Sequence, residues 1–128
     1  VSNFSVAQLK AAQAATSNKI VSNQVRYSLA DRRIESELLP YCQQHRVTII
    51  GYSPLNAIWR SSEYDGALSS VAEVTGKTKA QVALNWSTSR EGVVTIPKSN
   101  SAARIEENCA ASGWRLTEDQ IALLEAAP

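Results

Sequence analysis

The residues that could do chemistry fall in short polar clusters, each at or after the end of an apolar, β-branched run. Ser2 and Asn3 follow Val1, and Asn23 and Gln24 lie at the end of run 19–25. Tyr52, Ser53 and Leu55 follow run 47–51, and Lys98 and Ser99 follow run 92–96. Ser2, Asn3 and Gln24 can make paired hydrogen bonds to a carboxamide. Tyr52 offers a ring face for stacking, and Ser53 with the amides after it could hold a pyrophosphate. Lys98 and Arg104 bracket Ser99 and the start of a helix, an arrangement that suits a phosphate monoester. Glu107 and Asn108 lie on the same helix face as Arg104, where they could meet the edge of a base. The clusters together describe recognition of a flat, amide-bearing, phosphorylated ligand.

Each residue also has a plainer reading. Lys98 and Arg104 could be solvated charges, and Glu107 could pair with Arg104 on the helix surface. Gln24 could bond across a sheet, Tyr52 could fill the mouth of the core, and Ser99 or Ser101 could be a helix cap. What favours the ligand is the recurrence of such clusters at four matching positions.

The elements that must hold them follow from periodicity. Runs 19–25, 47–51 and 92–96 are short, nearly all apolar and rich in Val and Ile, as expected of strands covered on both faces in a parallel sheet. Helical patterns occupy 5–15, capped by Ser5, and 34–44, with Ile34, Leu38, Tyr41 and Cys42 on one stripe. They continue at 67–74, stopped by Gly76, then from Thr78 through Trp86, then at 101–111 before Gly113. Thr117-Glu-Asp-Gln120 is a capping box opening a last helix. Helices alternating with strands imply βαβ crossovers, an α/β fold with a parallel sheet. Residues 56–66 read as the only loose stretch. Val1 reads as the end of a fourth strand, and the pattern looks interrupted there.

Composition sets the outer limits. The chain has 128 residues, 44% apolar and 20% charged, with a formal net charge of +1. That size allows one domain or part of one. So small a charge argues against a nucleic-acid or bilayer surface and makes any anion site local. No run approaches the roughly 20 apolar residues of a membrane span, and there is no signal-peptide pattern. Cys42 and Cys109 read as buried thiols in a reducing compartment, the cytoplasm. Without a methionine, the chain reads as processed or as a piece of something longer.

VSNF at 1–4, NQVRY at 23–27, GYSPL at 51–55 and IPKSNSAARIEEN at 96–108 resemble the aldo-keto reductase family, in its order and spacing. IPKS followed by Arg104 and Glu107-Asn108 is the most specific of these motifs, and SNF the least. The resemblance implies an eight-stranded (β/α) TIM barrel that reduces carbonyls with NADPH. This chain would be its C-terminal half: one partial domain, 1–128, from the end of strand five through strand eight and the terminal helix. By the same resemblance Ser2, Asn3 and Gln24 bind the nicotinamide carboxamide, and Tyr52 stacks under its ring. Ser53 and Leu55 run along the pyrophosphate, Lys98, Ser99 and Arg104 clasp the 2′-phosphate, and Glu107 and Asn108 meet the adenine.

The family's tyrosine proton donor, its lysine and aspartate partners and its histidine all come from the first half of the barrel. None of the four can be assigned here. His45, the sole histidine, precedes a strand and so sits at the amino-terminal end of the sheet. The expected partners are a nicotinamide dinucleotide and either the other barrel half or a second copy of this chain.

Overall fold

The computed structural model describes residues 1–60 and 62–127. In chain order the elements are α1 (Val6–Ala14), β1 (Ser22–Arg26), α2 (Leu38–His45), β2 (Thr48–Tyr52), α3 (Asn56–Arg60), α4 (Asp65–Thr75), α5 (Lys79–Ser87), β3 (Val93–Thr95), α6 (Ala102–Cys109) and α7 (Glu118–Glu125), with a 3-10 turn at Arg33–Ser36. The three strands form a parallel sheet in the order β1-β2-β3, with Gln24 opposite Ile50 and Ile50 opposite Val94. Ser2 adds one parallel bridge to Gln24, where the sequence suggested a fourth strand end.

Local chemistry explains three of the helix starts. Ser5, Thr78 and Thr117 each accept a hydrogen bond from the backbone N–H three residues on, and the side-chain oxygens of Gln8, Gln81 and Gln120 accept one from the N–H of the cap residue. These reciprocal bonds satisfy N–H groups that a helix cannot pair internally. Gly76 ends α4 at φ 64°, a left-handed conformation that costs glycine little.

Four expectations need correction. Strand β1 starts at Ser22, although the Val21 carbonyl still accepts from Thr48 N–H at 2.8 Å. The helix expected at 34–44 is split, because Pro40 has no N–H to give Ser36 and so must lie in the first turn of a new helix, α2. The stretch expected to be loose, 56–66, contains α3 and the start of α4, while Ser61 lies outside the described residues. Cys109 is exposed, unlike the buried Cys42, because α6 buries none of its residues.

The sheet's two faces differ. Asn23, Val25, Ile49, Gly51 and Val93 point into a core with Tyr27, Leu68, Val71, Val82, Trp86 and Leu124. Packing there is close enough that a Cβ on Gly51 would lie 3.4 Å from that of Tyr27. The opposite face carries Ser22, Gln24, Thr48, Ile50 and Tyr52, half-buried, with Arg26 and Val94 exposed. Tyr52, Ser53, Leu55, Lys98 and Ser99 sit at or just beyond the carboxyl ends of β2 and β3, with Arg104, Glu107 and Asn108 on α6.

Candidate functional site

At the end of β1 the candidate residues are bonded to one another. The Gln24 carbonyl accepts from the Asn3 N–H at 2.8 Å and from the Ser2 hydroxyl at 3.0 Å. The Tyr52 hydroxyl donates to Asn3 Oδ1 at 3.1 Å, which joins the end of β2 to the N-terminal segment bonded to β1. Ser2, Asn3, Gln24 and Tyr52 are therefore one cluster. Beneath it Asn23, fully buried, accepts from Phe4 N–H at 3.2 Å and donates to the Phe4 carbonyl at 2.8 Å. This pair of bonds fixes the backbone that carries Asn3. Arg26 lies over the Tyr52 ring, 5.8 Å from its centre.

Backbone conformation marks the same places. Outside glycine, positive φ occurs at Asn3 (57°), Arg46 (53°) and Ser53 (54°) among the described residues. Arg46 merely ends α2. Asn3 and Ser53 are strand-end residues held in a region disfavoured for a side chain with a Cβ, and strain of that kind concentrates where a chain binds or reacts.

Apart from Ser53, the remaining candidates line one groove of about 480 Å³. One wall carries Lys98, Ser99, Arg104, Glu107 and Asn108. The facing wall carries Leu55 with Ile58 and Trp59 of α3, and Thr78 and Lys79 at the start of α5. Gln81 binds the walls together: its Oε1 accepts from Thr78 N–H at 3.0 Å, and its Nε2 donates to the Glu107 carbonyl at 3.1 Å. Ser99 Oγ accepts from Ser101 N–H at 3.1 Å, shaping the turn before α6, whereas the Ser101 side chain caps nothing. Ser53 stands between cluster and groove, its carbonyl accepting from Asn56 N–H at 3.3 Å.

The charges in the groove are conspicuous for what they do not do. Among the described residues Lys98 and Arg104 have no ion-pair partner, and the surface pair of Arg104 with Glu107 does not form. Lys79, by contrast, is paired with Asp65 at 2.6 Å. The shifted acids lie outside the groove. Asp31 is held below the usual carboxylate range, first by its hydrogen bond from Arg33. Burial would raise Glu35, but hydrogen bonds from Tyr27 and Arg32 and the nearby arginine charges outweigh it and lower it. Burial pushes the Tyr27 phenol up, reinforced by Glu35. His45 sits at the exposed end of α2 and stacks on Tyr41, with ring centres 4.0 Å apart. Among the described residues no group of three or more His, Cys, Asp and Glu is placed to hold a metal.

Ser2, Asn3, Gln24 and Tyr52 thus form one cluster with Ser53 beside it, and Leu55, Lys98 and Ser99 line the groove with Arg104, Glu107 and Asn108 of α6. Sequence reading placed Asn23 in a strand-end cluster without giving it a role, and overlooked Arg26 and Trp59 as parts of the region. A polar residue at an inward position of an apolar strand was the available signal for Asn23. For Trp59 there was none, because α3 is too short to show a period.

Comparison with known proteins places this arrangement. The aldo/keto reductase family profile matches residues 1–127. Methylglyoxal reductase YeaE of Escherichia coli is 34% identical over 113 residues, 86% of this chain and 40% of that protein. The thermostable aldo-keto reductase Tm1743, solved with the inhibitor epalrestat, superposes with a TM-score of 0.94 at 34% identity, covering 100% of this chain and 47% of that one. An aldo-keto reductase of Klebsiella pneumoniae solved with NADPH gives a TM-score of 0.88 at 34% identity, covering 98% of this chain and 45% of that one. The chain spans less than half the length of each. Its parallel sheet and alternating helices match about half of those barrels, and the chain belongs to the aldo/keto reductase family.

Proposed function

We propose that this chain is the dinucleotide-binding part of an NADPH-dependent aldo-keto reductase whose complete barrel reduces an aldehyde or ketone. The observation that carries this is the pair of cations, Lys98 and Arg104, that have no ion-pair partner among the described residues and line one groove with Ser99, Glu107 and Asn108. A cation left without a counter-charge in a shaped groove is available for a phosphate. The residues present therefore fit a 2′-phosphorylated dinucleotide, which would supply the hydride. Support also comes from the NADPH complex of the Klebsiella relative.

In this reading Lys98, Ser99 and Arg104 hold the 2′-phosphate, and Glu107 and Asn108 address the adenine edge. Ser53 and Leu55 flank the pyrophosphate. Gln24 and Asn3 orient the carboxamide, and Tyr52 presents its ring face to the nicotinamide. Asn23 acts through Asn3 by fixing its backbone.

The isolated chain should bind without turning over. Two of its four tyrosines are committed elsewhere: Tyr27 donates to Glu35 at 2.7 Å, and Tyr52 to Asn3. Lack of a poised proton donor costs a carbonyl reduction about 10²–10⁴-fold, and lost alignment of carbonyl and hydride adds to that. The test is fluorescence titration with NADPH and NADH. Saturable binding with NADPH preferred, weakened in Lys98→Ala and Arg104→Ala, supports the reading; equal affinity for both nucleotides contradicts it. NADPH-dependent turnover by the pure chain would sink the claim of inactivity.

A second reading, a self-associating half-barrel, is favoured by the sheet itself. Val21, Val94 and Ile96 are 62%, 47% and 44% exposed. Sheet surface of this kind invites a partner. Light scattering decides: a dimer at micromolar concentration supports this reading, and a monomer removes it.

A further inference from the structure

We propose that Trp59 is the stacking platform for the purine end of the ligand, a role that rests on the dinucleotide reading above. Trp59 is 67% exposed, whereas Trp86 is fully buried. A single exposed indole is unremarkable on an open surface. This one lines the groove that holds Lys98, Arg104, Glu107 and Asn108. Among the described residues its ring makes no aromatic or cation–π contact.

The helix beneath holds it in place. Ala57, two residues before it, is buried on the opposite side of α3, and Ile58 beside it packs against the core, so the helix is anchored. Ile58 and Trp59 both donate backbone hydrogen bonds to the Leu55 carbonyl, at 3.1 and 3.4 Å. The indole therefore belongs to a fixed wall.

The two walls are complementary in chemistry. Glu107 and Asn108 offer hydrogen-bonding groups, which read the edge of a base but grip its faces weakly. Trp59 offers a broad π-surface, which grips a face and ignores the edge. Lys98 and Arg104 supply the charge for a phosphate on the attached ribose. A purine nucleotide phosphorylated on its ribose uses all three, and a nicotinamide mononucleotide does not.

The experiment titrates the chain with 2′,5′-ADP and with NADPH, by calorimetry and by tryptophan fluorescence. Both ligands should bind and quench the wild type. In Trp59→Phe, calorimetric affinity should stay within about threefold while most of the quenching disappears; Trp59→Ala should weaken both ligands about tenfold or more. Circular dichroism should be the same for all three proteins, since the side chain is exposed. Wild-type affinity in Trp59→Ala would overturn the stacking role and leave the dinucleotide reading standing. Failure of the wild type to bind either ligand would overturn both.

Discussion

Around Trp86 the charges are paired; in the strand-end groove Lys98 and Arg104 have no ion-pair partner among the described residues. Arg32 bridges Glu35 at 2.9 Å and Glu125 at 3.2 Å, and Arg90 reaches both acids, Glu35 at 3.7 Å and Glu125 more closely. Both guanidinium groups lie over the Trp86 ring, 5.7 and 5.6 Å from its centre. The indole N–H donates to Glu125 at 3.0 Å and the Tyr27 hydroxyl to Glu35 at 2.7 Å. This network ties α7 and the α5–β3 connection to the turn after β1. Half-buried charges here are satisfied from within the chain, which is what a structural role requires. The groove leaves its cations for something else.

That contrast can be broken by substitution. The largest effect is expected from Trp86→Ala, which removes a fully buried indole and both arginine stacking contacts. Urea unfolding should show a loss of about 3–5 kcal/mol, with nucleotide affinity falling only as the fold is lost. Next comes Arg104→Ala. Losing one charge-assisted bond of about 1.5–3 kcal/mol should weaken NADPH about 10–100-fold. Affinity for NADH and the melting temperature should barely change. The two variants should thus separate stability from binding in opposite senses.

How much of this was legible beforehand depended on range. Ser5, Thr78 and Thr117 announce helices because a capping box closes within four residues. Lys98, Ser99 and Arg104 share a groove wall because they flank one turn. The Trp86 network was not legible, since Arg32 and Glu125 meet only after the whole chain has folded. Cys109 misled for a related reason: an apolar neighbour pattern says a face is fit for burial, and nothing about whether α6 is covered. Ile105 on the same helix is 48% exposed.

Acid should act on the network first. Glu35 is held below its ordinary range, so the unfolded chain takes up its proton before the folded one does. Stability is therefore intact above the ordinary glutamate range, near pH 4.3, and declines as pH falls through and below it. Urea midpoints measured between pH 7 and pH 3 should show this decline, and Glu35→Gln should be less stable at pH 7 and flatter across the range. The smallest effect is expected for Thr78→Ala. It removes a cap worth about 1 kcal/mol, seen as a modest drop in melting temperature. Because Gln81 links that cap to the Glu107 carbonyl, NADPH affinity should fall with it, by a factor of about two.

Whether Lys98 and Arg104, without ion-pair partners among the described residues, serve a ligand is read most directly from an amide NMR titration of the chain with NADPH. Saturable shifts should concentrate at Asn3, Gln24, Tyr52, Ser53 and Ser99 through Asn108, with Trp86 and Glu125 unmoved. Shifts centred on the network around Trp86, or none anywhere at millimolar nucleotide, would contradict it.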